Sequence, residues 1–317
     1  MEFRKLISFG KSSFVVSLPK AWVVQQKLKK GDLIAVDEAG PKLILSKQVD
    51  ATKEEVEKEI TILVDGKTKE HISRETCSAY IRNYRTIKFK GEEAKTKVRE
   101  IQEITQNMMA LEILEQTENC IIAKDFLNMD KVSSEELIRK MDVVTRTMID
   151  EARKVFTDNN YINLNERDKD VNRLYFLLYR SAIYNIENPT RALKNFKLTS
   201  IDFMRLHFVA FYIEQIADEA RRFARYAHEL KLSSKLKLDI EEFVKDVREH
   251  YIATMKSTYT QNVKETLRLS EFKVNFDQRL DKFELEVKKN EGLHLAIDRL
   301  RRMIIGIHNL GRVIYTL

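Results

Sequence analysis

Apolar and polar positions alternate with a period of two near the start of the chain. Phe14, Val16 and Leu18 interleave with Val15 and Ser17, as in a strand whose successive side chains point to opposite faces. Further apolar runs follow at Leu33-Ile34-Ala35-Val36 and Leu43-Ile44-Leu45, and the Gly40-Pro41 pair between them reads as a hairpin turn. So few residues cannot enclose a core alone, so residues 1–48 need a second chain or the rest of this one. Residues 58–125 read as a small α/β unit. Strands are predicted at Ile60–Val64, Thr86–Phe89 and Asn119–Ala123, and helices over Ser73–Tyr84 and Glu92–Met109.

Beyond residue 132 the period lengthens. Leu206, Val209, Ile213, Ile216, Ala220, Phe223 and Ala227 recur at spacings of three and four, as do Ala296, Leu300, Met303, Ile307, Leu310 and Ile314. That spacing puts each set on one face of a helix. Ser133-Ser134-Glu135-Glu136 supplies an N-terminal signal, a serine cap followed by acids in the first turn. Helices are predicted near 133–158, 164–187, 199–230, 232–257, 260–289 and 291–316, with Pro189 marking the break after the second. Six such helices predict two three-helix bundles, 132–230 and 231–317, related as an internal repeat. The expected fold class is multidomain and mainly α, with a β-rich head, a small α/β middle unit and a helical body over 132–317.

The placement of glycine and proline agrees. Gly10, Pro19, Gly31, Gly40 and Pro41 fall within the first fifty residues, and none of the residues between Gly91 and Gly292 is glycine. Composition is ordinary for a soluble protein, 43% hydrophobic and 33% charged in 317 residues. No apolar run approaches the roughly 20 residues of a membrane span, and the opening MEFRKLISFG has no apolar signal region. A cytoplasmic location is expected. Cys77 and Cys120 stand alone, without CxxC spacing, which argues against a disulfide framework or a zinc cluster.

Net charge is +7, and it is concentrated. The first fifty residues hold nine basic and five acidic side chains, enough to favour a polyanion partner. The order of residues there is informative: Phe3-Arg4-Lys5-Leu6, then Gly10-Lys11-Ser12-Ser13, then Val16-Ser17-Leu18-Pro19-Lys20-Ala21-Trp22, then Leu28-Lys29-Lys30-Gly31-Asp32. Residues 3–47 resemble the AbrB/MazE (SpoVT-AbrB) swapped-hairpin DNA-binding domain. The resemblance implies an obligate homodimer closed by exchanged hairpins. It also implies DNA contacts at Arg4, Lys5, Lys11, Ser12, Ser13 and Lys20, with Pro19 and Gly31 structural. Some members of that family only dimerise or dock proteins.

The helical half carries acids four residues apart: Glu166 and Asp170, Glu214 and Asp218, Asp277 and Asp281. Residues at that spacing share a helix face, so each pair can meet one cation. Two pairs on adjacent helices would offer a hard divalent or ferric ion enough oxygen donors. Solvation, or pairing with Arg167, Arg221, Arg222, Arg225 and Arg279, is the alternative. The stretch from Asp168 to Tyr175, with Glu214–Asp218 and Asp277–Asp281, resembles PhoU, a phosphate-signalling family. Its fold is two three-helix bundles, with metal clusters bound by E/DxxxD motifs. Ala110–Leu114 is similar to the linker of archaeal PhoU-like regulators, which carry an AbrB-type head on the same chain. The resemblance implies Fe, Zn, Mg or Ni at these acids. One departure weakens the second site: aligning Ile216 with Ile307 matches Glu214 and Asp218 to Ile305 and Asn309.

His207 and His308 read as structural, and Tyr175, Phe176 and Tyr179 as packing residues. No nucleophile–base signature and no glycine-rich phosphate loop is present, so an enzyme is not expected. What the sequence predicts is a dimeric, DNA-binding regulator of phosphate uptake whose helical body senses metal or phosphate. The alternative is a non-DNA-binding adaptor that docks on a phosphate ABC transporter or one of its regulators.

Overall fold

A computed structural model describes residues 3–39, 42–47, 57–158 and 161–317. The chain divides into two compact units, Met1–Val56 and Glu57–Leu317.

The first unit is two hairpins around a short helix. Strands β1 (Ile7–Phe9) and β2 (Ser13–Val15) pair antiparallel, with Ser8 opposite Phe14. Gly10 turns the chain between them at φ +72°, a left-handed conformation that suits glycine. The strand predicted through Leu18 stops at Val15, and Pro19 then sits at the N-cap of α1 (Lys20–Gln25). Gly31 takes φ +96°, and the Asp32 carboxylate accepts from the Lys29 amide at 2.7 Å. Strands β3 (Ile34–Ala39) and β4 (Lys42–Lys47) form the second hairpin. Gly40 and Pro41 lie outside the described residues. Among the described residues of this unit, no side chain is buried. Phe9 and Phe14 are about 70% exposed, and Ile7, Val15, Val36 and Leu43 are exposed as well.

The second unit begins with a four-stranded sheet in the order β5-β6-β8-β7. Strand β5 (Glu59–Leu63) runs parallel to β6 (Thr86–Lys90). Strand β8 (Cys120–Asp125) is antiparallel to both β6 and β7 (Leu111–Gln116). Helix α2 (Lys69–Ile81) starts where the Thr68 hydroxyl accepts from the His71 amide, and α3 (Val98–Gln106) follows β6. Ile62, Ile72, Tyr80, Ile87, Phe89, Ile101 and Ile121 fill the core of this layer. Strand β7 was not foreseen. Its residues, Leu-Glu-Ile-Leu-Glu-Gln, begin in alternation, but a register break between Ile113 and Glu115 leaves Leu114 exposed and hides the pattern.

Eight helices complete the unit among the described residues: α4 (Ser134–Arg153), α5 (Tyr161–Glu187), α6 (Pro189–Phe196), α7 (Ser200–Ala227), α8 (Ser234–Tyr259), α9 (Val263–Ser270), α10 (Phe272–Glu284) and α11 (Leu293–Thr316). Local chemistry sets their starts. Ser133 caps α4, accepting from the Glu136 amide. Thr199 and Asp202 form a reciprocal capping box at α7. Several helix ends shift by a few residues from the sequence expectation, and two breaks differ in kind. Pro189 ends the preceding helix but also opens α6, because proline at the first helical position sacrifices no hydrogen bond. The predicted helix over 260–289 is interrupted at Glu271 into α9 and α10.

Every predicted seam residue of α11 is buried, as are those of α7 except the partly buried Leu206. All but Leu206 and Ile314 belong to one contiguous core that also draws on α4, α5, α8 and α10. Helices α7 and α11 cross closely at Gly306, where an added Cβ would lie 2.9 Å from Ile216 Cγ1.

Sheet layer and helices meet through a buried charge. Arg180 of α5 is fully buried, as is Asp125 at the end of β8, and Nη2 of Arg180 lies 2.6 Å from the Asp125 carboxylate. Arg180 Nε donates to Asn83 at 2.9 Å, and its guanidinium lies 4.6 Å from the centre of the Tyr80 ring. Arg85 donates to the same Asp125 oxygen at 2.6 Å.

Candidate functional site

The first candidate surface lies in the N-terminal unit. Arg4 and Lys5 precede β1, Lys11 and Ser12 occupy the turn after Gly10, Ser13 opens β2, and Lys20 is the first residue of α1. All six side chains are exposed. A hairpin tip with lysine, two hydroxyls and open backbone amides can meet phosphate oxygens by charge and by hydrogen bond.

A second candidate lies on α5 and α7, built from carboxylates and arginines. Glu214 and Asp218 share a face of α7, one turn apart. The α5 acid that meets them is Asp168. It follows buried Leu164 by four residues and precedes buried Val171 by three, so it sits on the flank of the packed seam. Asn172, one turn on, donates to the Asp168 carboxylate at 3.2 Å. Glu166 and Asp170, expected to share a cation with the α7 pair, lie off that flank. Their side chains are 67% and 64% exposed, with Lys169 at 2.8 Å from Glu166 and Arg173 at 4.0 Å from Asp170.

Two guanidinium groups hold the cluster together. Arg221 reaches Asp168 at 3.2 Å through Nε and Asp218 at 2.6 Å through Nη2, bridging α5 and α7. Arg222 Nε lies 2.8 Å from the other Asp218 oxygen. Glu214 has no ion pair among the described residues. Burial, together with Asp218 and Asp168 nearby, pushes its carboxyl up to about 7. Burial likewise raises Asp168, against the pull of Arg221.

The third predicted pair is also occupied by bases. Asp277 of α10 meets Lys273 at 2.5 Å and Arg301 of α11 at 3.5 Å. Asp281 is 65% exposed and lies 3.1 Å from Arg301, which also binds Glu284 at 2.8 Å.

These donor sets do not fit a metal centre. A hard cation needs carboxylate oxygens converging at about 2.0–2.6 Å with their charge unspent. Here Asp168 and Asp218 already face guanidinium, and the Asn172 amide presents a donor hydrogen to Asp168. Among the described residues, no group of three or more His, Cys, Asp or Glu side chains is arranged to hold a metal ion. The two histidines considered from sequence belong to packing. The His207 ring lies 4.3 Å from Tyr179 and 6.0 Å from Tyr175 in an aromatic cluster, and burial lowers the pKa of both His207 and His308.

Sequence reasoning missed Asp168 as the partner of the α7 acids, although the Leu164/Val171 spacing could have found it. It also missed Arg180 and Asp125, which lie 55 residues apart in sequence with no periodic signal to join them.

Residues 138–227, from the second turn of α4 to the end of α7, match the family model for the PhoU domain. The match contains Asp168, Glu214, Asp218, Arg221 and Arg222. No curated protein and no solved structure matches the chain. No helix among the described residues is long and apolar enough to cross a membrane.

Proposed function

We propose that this chain is a DNA-binding regulator of phosphate uptake that works as a homodimer and performs no catalysis of its own. The observation that carries the phosphate assignment is the PhoU-domain match over residues 138–227. Support for a nucleic-acid role comes from the first unit. There Arg4, Lys5, Lys11 and Lys20 are exposed around one hairpin and the start of one helix, in a segment that resembles the AbrB/MazE domain. Support for the dimer comes from the same unit. Ile7, Phe9, Phe14, Val36 and Leu43 are exposed within it, and a fold of this size gains a core by sharing one with a second copy.

Fluorescence anisotropy tests the DNA reading. The full chain is titrated against the promoter of its own gene, a phosphate-transporter promoter and scrambled DNA at physiological salt. At least about tenfold tighter binding to a promoter is expected, lost on changing Arg4 and Lys11 to alanine. Equal, salt-labile binding to all three would overturn it. In that case the adaptor reading gains ground, favoured by Ile201, Met204 and Phe208, which line the exposed side of α7 and offer a docking stripe to a transporter component.

A further inference from the structure

We infer that the carboxylate frames of the helical body are closed by the chain's own cations, Arg221 with Arg222 in one and Arg301 with Lys273 in the other, so that the body needs no metal ion. The inference bears only on the helical body and is independent of whether the head binds DNA.

Two separate places in the fold carry it. In the first, one guanidinium spans from α5 to α7: Arg221 stands 3.2 Å from Asp168 and 2.6 Å from Asp218. That is the bridging position a cation shared by acids on two helices would take. Arg222 covers the remaining Asp218 oxygen at 2.8 Å. Two carboxylates thus face two guanidinium groups, and the local charge is balanced without a divalent ion. Arginine suits this task, since its planar fork stays charged and pairs two acceptors at once. In the second place Arg301, on α11, reaches Asp277, Asp281 and Glu284 of α10 at 3.5, 3.1 and 2.8 Å, while Lys273 holds the other Asp277 oxygen at 2.5 Å. Again a base on one helix spans acids on its neighbour.

The competing ion faces a double cost at the first frame. It must displace Arg221, whose side chain is 19% exposed, leaving a largely buried guanidinium without its partners. It must also turn the Asn172 amide, which donates to Asp168 at 3.2 Å. Removing the two arginines reverses the balance. Asp168, Asp218 and Glu214 would then face one another uncompensated, and a divalent ion would relieve their repulsion.

The test uses the full chain. Metal content after purification and dialysis is measured by elemental analysis, and thermal unfolding is followed with chelator and with Mn²⁺ or Zn²⁺. For the wild type, substoichiometric metal and an unmoved melting temperature are expected. The Arg221→Gln/Arg222→Gln double variant should unfold earlier without metal and gain about 5 °C or more on saturation with Mn²⁺ or Zn²⁺. Arg221→Lys, which keeps the charge, should stay unresponsive. Stoichiometric metal in the wild type that is lost in Asp168→Asn/Asp218→Asn would overturn the inference. So would a folded double variant, verified by circular dichroism, that gains nothing from metal. If the double variant does not fold, the metal content of the wild type alone decides. None of these readouts involves DNA, so a failure here leaves the regulatory reading untouched, and the reverse holds as well.

Discussion

Glu214 is the residue whose protonation the fold alters most visibly among the carboxylates of α5 and α7. Its carboxyl is raised to about 7 by burial and by Asp218 and Asp168, whereas an unfolded glutamate titrates near 4.3, as a rule of thumb about two to three units lower. The folded chain therefore binds a proton more tightly than the unfolded one. The contribution is complete below the unfolded value and is lost as pH rises through about 7. Stability should fall from about pH 5 to about pH 8, and Glu214→Gln should remove part of that fall, on the order of 1–3 kcal/mol. Denaturant midpoints of both proteins at the two pH values check it. Parallel midpoint shifts would show that Glu214 is not the titrating group.

At the scale of elements, the crossing of α7 and α11 depends on Gly306. A methyl group there would meet Ile216 Cγ1 at 2.9 Å, and this methylene, next to the branched Cβ, cannot swing aside inside a filled core. Gly306→Ala should thus destabilise by about 1–3 kcal/mol, despite alanine's better helix propensity. A melting temperature at or above that of the wild type would count against this packing. Such crossings explain what the sequence could and could not reveal. The seams of α7 and α11 were legible because each helix buries one continuous stripe, and the serine at Ser133 marked the start of α4 locally. The split at Glu271 was not legible, since no glycine or proline signals it. Strand β7 was masked by its bulge at Leu114. For the candidate site, the α7 acids were readable from spacing alone. Their true neighbour on α5 required knowing which flank of that helix packs, whereas Arg221 and Arg222, three and four residues after Asp218, were readable as pairing candidates.

On the scale of the whole molecule, the two units differ in how they satisfy their apolar residues. The larger one encloses two cores. In the smaller one no described side chain is buried, and Phe9, Phe14, Val36 and Leu43 are exposed. An association that covers these residues should be broken by Phe14→Asp with Leu43→Asp. Sedimentation analysis should show a dimer for the wild-type chain and a monomer of unchanged helix content for the variant. A wild-type chain that sediments as a monomer at micromolar concentration would sink the homodimer.

The Arg180–Asp125 contact has a consequence for how such a protein can vary. Both groups are fully buried and face each other across the boundary between the sheet layer and α5. Changing Asp125 alone strands Arg180 in the interior, a loss of about 3–5 kcal/mol, whereas changing Arg180 leaves Asp125 its second partner, Arg85, at 2.6 Å, and should cost less. Asp125 is thus the less replaceable of the two. A chimera that grafts this helical body onto another sheet layer must therefore find an acid there for Arg180, whereas the sheet layer carries its own arginine for Asp125.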